Sequence, residues 1–181
     1  MTERHYWDTT CWIDLHKEPQ IGPVGPMRTL WLAVERGAVE LLFSAVTLAE
    51  VLIKPEGVEP PKPWPDPNDF DLIFDSEQLI AVQVDRLVGE RARSIRRQTG
   101  LKTPDAIHLA CALEHNVDHL ITRDPDILTR HGVFFRRDGK AINVLTPANA
   151  LGGPLFSQQS SSSPLRDCHS EPPAKPDAAT R

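Results

Sequence analysis

Apolar residues recur in short runs separated by polar or Gly/Pro-containing breaks, and the periodicity alternates between strand-like and helix-like. Tyr6-Trp7 closes a first run that ends on Asp8 and reads as a short strand. Thr9 to Leu15 follows as a helix, with Cys11, Trp12 and Ile13 available for packing. Gly22, Pro23, Gly25 and Pro26 then break the chain. Met27 to about Arg36 has Leu30, Leu32 and Val34 as apolar positions, with Gly37 as its stop. Val39 to Phe43 reads as a buried strand, and Ser44 stands where it can cap a helix from Ala45 to Ile53.

Six prolines crowd residues 55–67 and leave neither helix nor central strand open to that stretch, so it reads as an extended surface loop. A short helix is expected around Asp69 to Phe74, and Leu79 to Val84 is strand-like. Asp85 caps a long helix running to about Gln98, and Gly100 ends it. Thr103-Pro104-Asp105 predicts another helix start, with a capping hydroxyl, a proline in the first turn and an acid. Ala106, Ile107, Leu109, Ala110 and Leu113 carry that helix onward. His119 to Thr122 is a strand ending just before Asp124, Pro125 opens a short helix, and Phe134-Phe135 and Ile142 to Leu145 are further strand candidates.

Alternating strands and helices predict an α/β fold, a three-layer α/β/α sandwich around a central, mainly parallel twisted sheet. The expected organisation is one domain over residues 1–150. A Ser/Pro-rich tail, read as disordered, follows over 151–181.

Length and composition narrow the class. A chain of 181 residues buries a core without covalent staples. Three cysteines, Cys11, Cys111 and Cys168, form no C-x-x-C pair, which favours a reducing compartment and a cytoplasmic protein. No basic-then-apolar leader opens the sequence and no run approaches a membrane span. The net charge of −5 excludes a uniformly basic surface. Residues 85–102 nevertheless carry six basic side chains against two acidic ones, so a basic neighbour to an acidic pocket is expected.

The candidate chemistry lies in four acids. Asp8 and Asp124 follow predicted strands, where α/β sheets gather functional groups. Glu50 is the single ionisable side chain between Glu40 and Lys54, set among Leu48, Ala49, Val51, Leu52 and Ile53. A carboxylate on such an apolar helix is costly to bury unless paired or cation-bound; the competing reading is a narrow solvent-facing edge. Asp105 in a first helical turn and Asp124 before Pro125 both have ordinary capping explanations. If the four converge, repulsion must be offset, since two carboxylates ~5 Å apart repel by about 3 kcal/mol at an effective dielectric of ~20. Oxygen-only ligands select Mg²⁺ or Mn²⁺, which can activate water against a phosphodiester. Thr122 adds a hydroxyl that can hold a water or a carboxylate, though it is equally an ordinary β-branched strand residue.

Four segments in this order resemble the PIN-domain family, particularly VapC-type toxins of toxin–antitoxin pairs. They are Trp7-Asp8-Thr9-Thr10, Ser44-Ala45-Val46-Thr47-Leu48-Ala49-Glu50-Val51, Lys102-Thr103-Pro104-Asp105-Ala106-Ile107-His108-Leu109-Ala110 and Ile121-Thr122-Arg123-Asp124. Val144-Leu145-Thr146-Pro147 resembles the family's last strand. The resemblance implies a parallel sheet, a metal site of Asp8, Glu50, Asp105 and Asp124, cleavage of single-stranded or structured RNA, homodimerisation and a cognate antitoxin. Thr10 stands where many members carry Asn or Ser, and the 55–67 stretch and the tail fall outside the pattern.

Two alternatives remain open from sequence: a PIN-like binding module with weak catalysis, and a DNA-directed metal-dependent nuclease. His115 and His119 have a zinc-like spacing without a completing ligand set, and His108 with Cys111 reads as packing. No Walker-type phosphate loop is present, and the second Asp of a haloacid-dehalogenase-type phosphatase is missing at Thr10. The arginines of 86–97 are either a solvated face or contacts to RNA phosphates.

Overall fold

The computed structural model describes residues 2–18, 23–51, 70 and 73–157. The proline-rich stretch 55–67 and the chain beyond residue 157 lie outside the described residues. Five strands form one sheet: β1 (Glu3–Trp7), β2 (Val39–Ser44), β3 (Leu79–Val82), β4 (His119–Ile121) and β5 (Asn143–Leu145). Their order is β3-β2-β1-β4-β5, and every adjacent pair is parallel. The first strand is therefore central, with His5 opposite Leu41 on one side and His119 on the other. No helix of the described residues is long and apolar enough to cross a membrane.

Helices cover both faces, which is why β2 reads as an almost unbroken apolar run. They are α1 (Thr9–Lys17), α2 (Pro26–Glu35), α3 (Ala45–Glu50), α4 (Arg86–Thr99), α5 (Thr103–Glu114), α6 (Pro125–Leu128), α7 (Pro147–Ala150) and α8 (Pro154–Ser157). Strand alternation divides the core in two. Tyr6, Leu42, Leu120 and Val144 point into an aliphatic cluster with Val88, Ile95, Leu109 and Leu113 of α4 and α5. Trp7, Leu41, Phe43 and Ile121 point the other way, against α1, α2 and α7. On that second face Trp12 lies 5.2 Å from Trp7, 6.4 Å from Trp31 and 4.8 Å from Phe74, ring centre to ring centre. Its full burial is worth about 3 kcal/mol in removal from water alone.

Local signals explain most boundaries. The Asp85 carboxylate accepts from Val88 N at 3.0 Å to open α4, and Gly100, at φ +73°, closes it in a conformation that disfavours a side chain. Several boundaries depart from expectation. Lys102, not Thr103, is the N-cap of α5; Thr103 is its first residue, and no side chain caps it. Ser44 does sit at the N-cap of α3, but its hydroxyl bonds to Tyr6 in place of the helix. α3 ends at Glu50, with Val51 as its C-cap, well before Ile53. Phe135 makes an isolated antiparallel bridge with Ala141, so the Phe134-Phe135 segment adds no strand to the sheet. Past Gly153 the chain makes one helical turn, α8, whose Leu155 and Phe156 pack against the aromatic cluster.

Candidate active site

The carboxyl ends of β1, β2 and β4 lie side by side, and each delivers polar groups to the same edge. Asp8 directly follows β1 and caps α1; its Oδ1 accepts from Cys11 N at 3.2 Å and from the Thr10 hydroxyl at 2.7 Å. The Asp8 side chain is buried, and its Oδ2 accepts from the wholly buried Thr122 hydroxyl just past β4. The same Thr122 oxygen accepts from Asp124 N at 2.9 Å. One hydroxyl thus ties two acids across neighbouring parallel strands. Asp124 in turn caps α6, its Oδ1 accepting from Asp126 N at 2.7 Å. The capping reading of Asp124 is correct, Asp8 caps a helix as well, and each cap leaves its carboxylate with further lone pairs.

Glu50 closes α3. Its Oε2 accepts from the Thr9 hydroxyl at 2.6 Å and lies 2.9 Å from Nε2 of the buried His108 on α5. The opposite ring nitrogen, Nδ1, is 2.9 Å from the Tyr6 hydroxyl, which is 2.7 Å from the Ser44 hydroxyl. A neutral imidazole protonated on Nε2 satisfies the whole series: Ser44 donates to Tyr6, Tyr6 to Nδ1, and Nε2 to the carboxylate. The His108 bond, followed by the Thr9 bond, holds the Glu50 carboxyl below its ordinary range, against its partial burial. The setting differs from the expected apolar helix. Leu48 is 49% exposed, Ala49 is exposed, and Thr47 is the buried residue of α3. Val51 next to it is buried, and the distinguishing feature of Glu50 is its partners, Thr9 and His108.

Asp105 lies in the first turn of α5 and accepts no hydrogen bond and forms no ion pair among the described residues. A helix N-terminus favours a carboxylate. Its pKa is nevertheless raised, by burial first, then by Asp124 and by Glu50, with Lys102 and His108 opposing. Asp105 therefore feels Asp124 and Glu50, although neither touches it. The five residues singled out from sequence thus fall into two hydrogen-bonded units, Asp8–Thr122–Asp124 and Thr9–Glu50–His108, with Asp105 electrostatically coupled to both.

Sequence reasoning missed Tyr6, Thr9, Ser44 and His108 as a connected series, and it set His108 aside as packing. The available signal was the spacing of Asp105 and His108, one helical turn apart on the face of α5 that meets α3. The arginines of α4 are mixed in role. Arg91 donates to Phe135 O at 2.8 Å and Arg96 to Leu101 O at 3.2 Å, which commits them to the fold. Arg93 and Arg97 are exposed. At the rim, Arg123 pairs with Asp14 at 2.5 Å.

Residues 6–132 match the family model described as PIN domain. No curated protein matched the chain. Among solved structures, a toxin-antitoxin complex from Klebsiella pneumoniae contains a chain with TM-score 0.52 and 22% identity, covering 79% of this chain and 97% of that one. VapBC2 from Rickettsia felis, bound to a DNA fragment from its promoter, gives 0.49 and 15%, covering 79% and 98%. FitAcB from Neisseria gonorrhoeae gives 0.46 and 18%, covering 80% and 98%. The likeness to the first is one of fold, whereas the family match runs from within the first strand to beyond the fourth and takes in all four acids. The chain belongs to the PIN-domain family, whose members are generally nucleases.

Proposed function

We propose that the protein is a Mg²⁺- or Mn²⁺-dependent endoribonuclease, with Asp8, Glu50, Asp105 and Asp124 as its metal-binding carboxylates. The observation that carries this reading is the state of Asp105: a carboxylate with no hydrogen-bond partner among the described residues, pushed up in pKa by burial and by two other acids. Such a group is in want of positive charge. An all-oxygen donor set fits a hard divalent ion, which when bound supplies a lowered water pKa and charge neutralisation at the phosphate.

The chain's own groups have separable tasks. Thr122 and Thr10 hold Asp8 in one orientation by donating to its two oxygens. His108 and Thr9 keep Glu50 ionised and aimed, and leave its second oxygen without a bond among the described residues. Asp105, which accepts no hydrogen bond among the described residues, is the carboxylate best placed to accept a proton from an attacking water. Lys102, whose charge opposes the rise in the Asp105 pKa, stands where a phosphate can approach. The exposed Arg93 and Arg97 of α4 supply further phosphate contacts.

The family and the toxin–antitoxin complexes among the structural neighbours support a toxin role in the cytoplasm, with an antitoxin protein as partner and a homodimer as the working form. The test is incubation of the purified chain with RNA, and with single-stranded and duplex DNA, with and without Mg²⁺ or Mn²⁺. Metal-dependent RNA cleavage that Asp8→Ala and Asp105→Ala abolish is the expected result. Undiminished cleavage by either variant overturns the mechanism, and cleavage of DNA alone overturns the substrate.

A further inference from the structure

We propose a second metal site at the opposite end of the sheet, a transition-metal site formed by the Glu3 carboxylate and the imidazoles of His5 and His119. It takes a zinc-type divalent ion. Glu3 and His5 are two apart on β1 and so project to one face, and His119 lies directly across on β4 in parallel register. The pattern of the neighbouring residues fixes that face: Trp7 and Ile121, in step with His5 and His119, both belong to the aromatic cluster.

The geometry matches a donor set better than a hydrogen-bonded one. The Glu3 Oε2 lies 3.4 Å from His5 Nε2 and 3.6 Å from His119 Nε2. Both separations exceed a good N–H···O bond. Ligand atoms held about 2.1 Å from one ion at tetrahedral angles stand about 3.4 Å apart. Among the described residues this is the one group of three potential ligands with atoms all within 4.8 Å of one another. His5 is 1% exposed, and among the described residues neither its Nδ1 nor that of His119 has a hydrogen-bond partner. Both rings turn Nε2 toward the Glu3 carboxylate, and that is the atom each offers to an ion.

Access and selectivity follow from the surroundings. Glu3 and His119 line a cleft of about 570 Å³, leaving a fourth ligand position open to solvent. The nearby cations are already committed, Arg4 to Glu40 at 3.2 Å and Arg136 to Asp118 at 2.5 Å. Two imidazoles with one carboxylate favour zinc-like ions over Mg²⁺. The site is not part of the acidic edge: at the strand rise of about 3.3 Å per residue, Glu3 lies roughly 16 Å from Asp8.

The test is titration of the chelator-stripped full chain with Co²⁺ in excess Mg²⁺, reading visible ligand-field absorption. We expect one Co²⁺ per chain, displaced by one equivalent of Zn²⁺, with Zn²⁺ also raising Tm. His119→Ala should abolish the absorption, and Glu3→Gln should weaken binding by about 10-fold or more. Asp8→Asn should leave it unchanged. Circular dichroism checks the fold, and the partly exposed, near-isosteric Glu3→Gln decides the case should His119→Ala unfold. A parent chain without saturable absorption, or a signal lost in Asp8→Asn and kept in Glu3→Gln, overturns the proposal without touching the nuclease reading.

Discussion

The two ends of β1 carry polar clusters of opposite chemical character. At its carboxyl end Asp8 joins three other acids, and every carboxylate of that edge is an oxygen donor. At its amino end one carboxylate meets two imidazoles. The difference in how they are held is more instructive. Asp8 and Glu50 are each oriented by two side-chain donors, whereas among the described residues Glu3 has only the 3.4 Å contact to His5 and the more distant His119. Strand polarity accounts for this: at the carboxyl end the chain turns at once into helices, whose first turns offer amides and hydroxyls, while the amino end receives chain arriving from loops. One end is pre-organised and the other has groups in position without supporting bonds.

Variants can separate the two ends. The largest effect is expected from Asp8→Ala, which should lower RNA cleavage by about 10³-fold or more in single-turnover assays, since it removes a metal carboxylate and its link to Thr122. Next, His108→Ala should cost about 10- to 100-fold. The signature of its positioning role is in the pH profile. His108 lowers the Glu50 pKa, so its loss raises that pKa, and the acid limb of kcat should move to higher pH. Thr122→Val should cost about 10-fold, with near-normal folding by circular dichroism, because only the hydroxyl is lost.

The smallest effects concern stability. Asp105 has a raised pKa in the folded chain, so its ionisation opposes folding above the unfolded value and this penalty disappears as pH falls below it. Asp105→Asn should therefore raise Tm slightly at pH 7 in chelator, with the gain fading toward pH 4, while losing the stabilisation that Mn²⁺ confers on the parent. A lower Tm in chelator would show that Asp105 is supported by contacts of its own. Glu50 runs in the opposite sense. Its lowered pKa contributes stability fully present above about pH 4.5 and lost as pH falls through the folded value.

Legibility in the sequence followed the range of the interactions. α4 was legible at both ends because Asp85 and Gly100 act on their own neighbours. The strands were legible because burial on both faces leaves apolar runs. The parallel order, by contrast, came only with the family resemblance and the alternation of elements. Glu50 was singled out for its apolar neighbours, of which Leu48 and Ala49 are exposed, whereas its strongest local tie is to a histidine 58 positions away. The Ser44 hydroxyl misled because a local cap competes with a tertiary partner, here Tyr6, that a linear reading does not contain. For the same reason Glu3, His5 and His119 were invisible as a group, since their proximity depends on a pairing across 114 residues between His5 and His119.

That central position of β1 also sets the order in which the molecule can assemble. Its neighbours on the two sides are β2 and β4, and its hydrogen bonds to β4 close a loop of more than a hundred residues. Closing such loops is slow and comes late in folding. During synthesis neither end of the strand is complete until His119 to Asp124 have been made. A nascent chain therefore holds neither polar cluster complete, and both are completed together when β4 joins β1, not gradually along the chain.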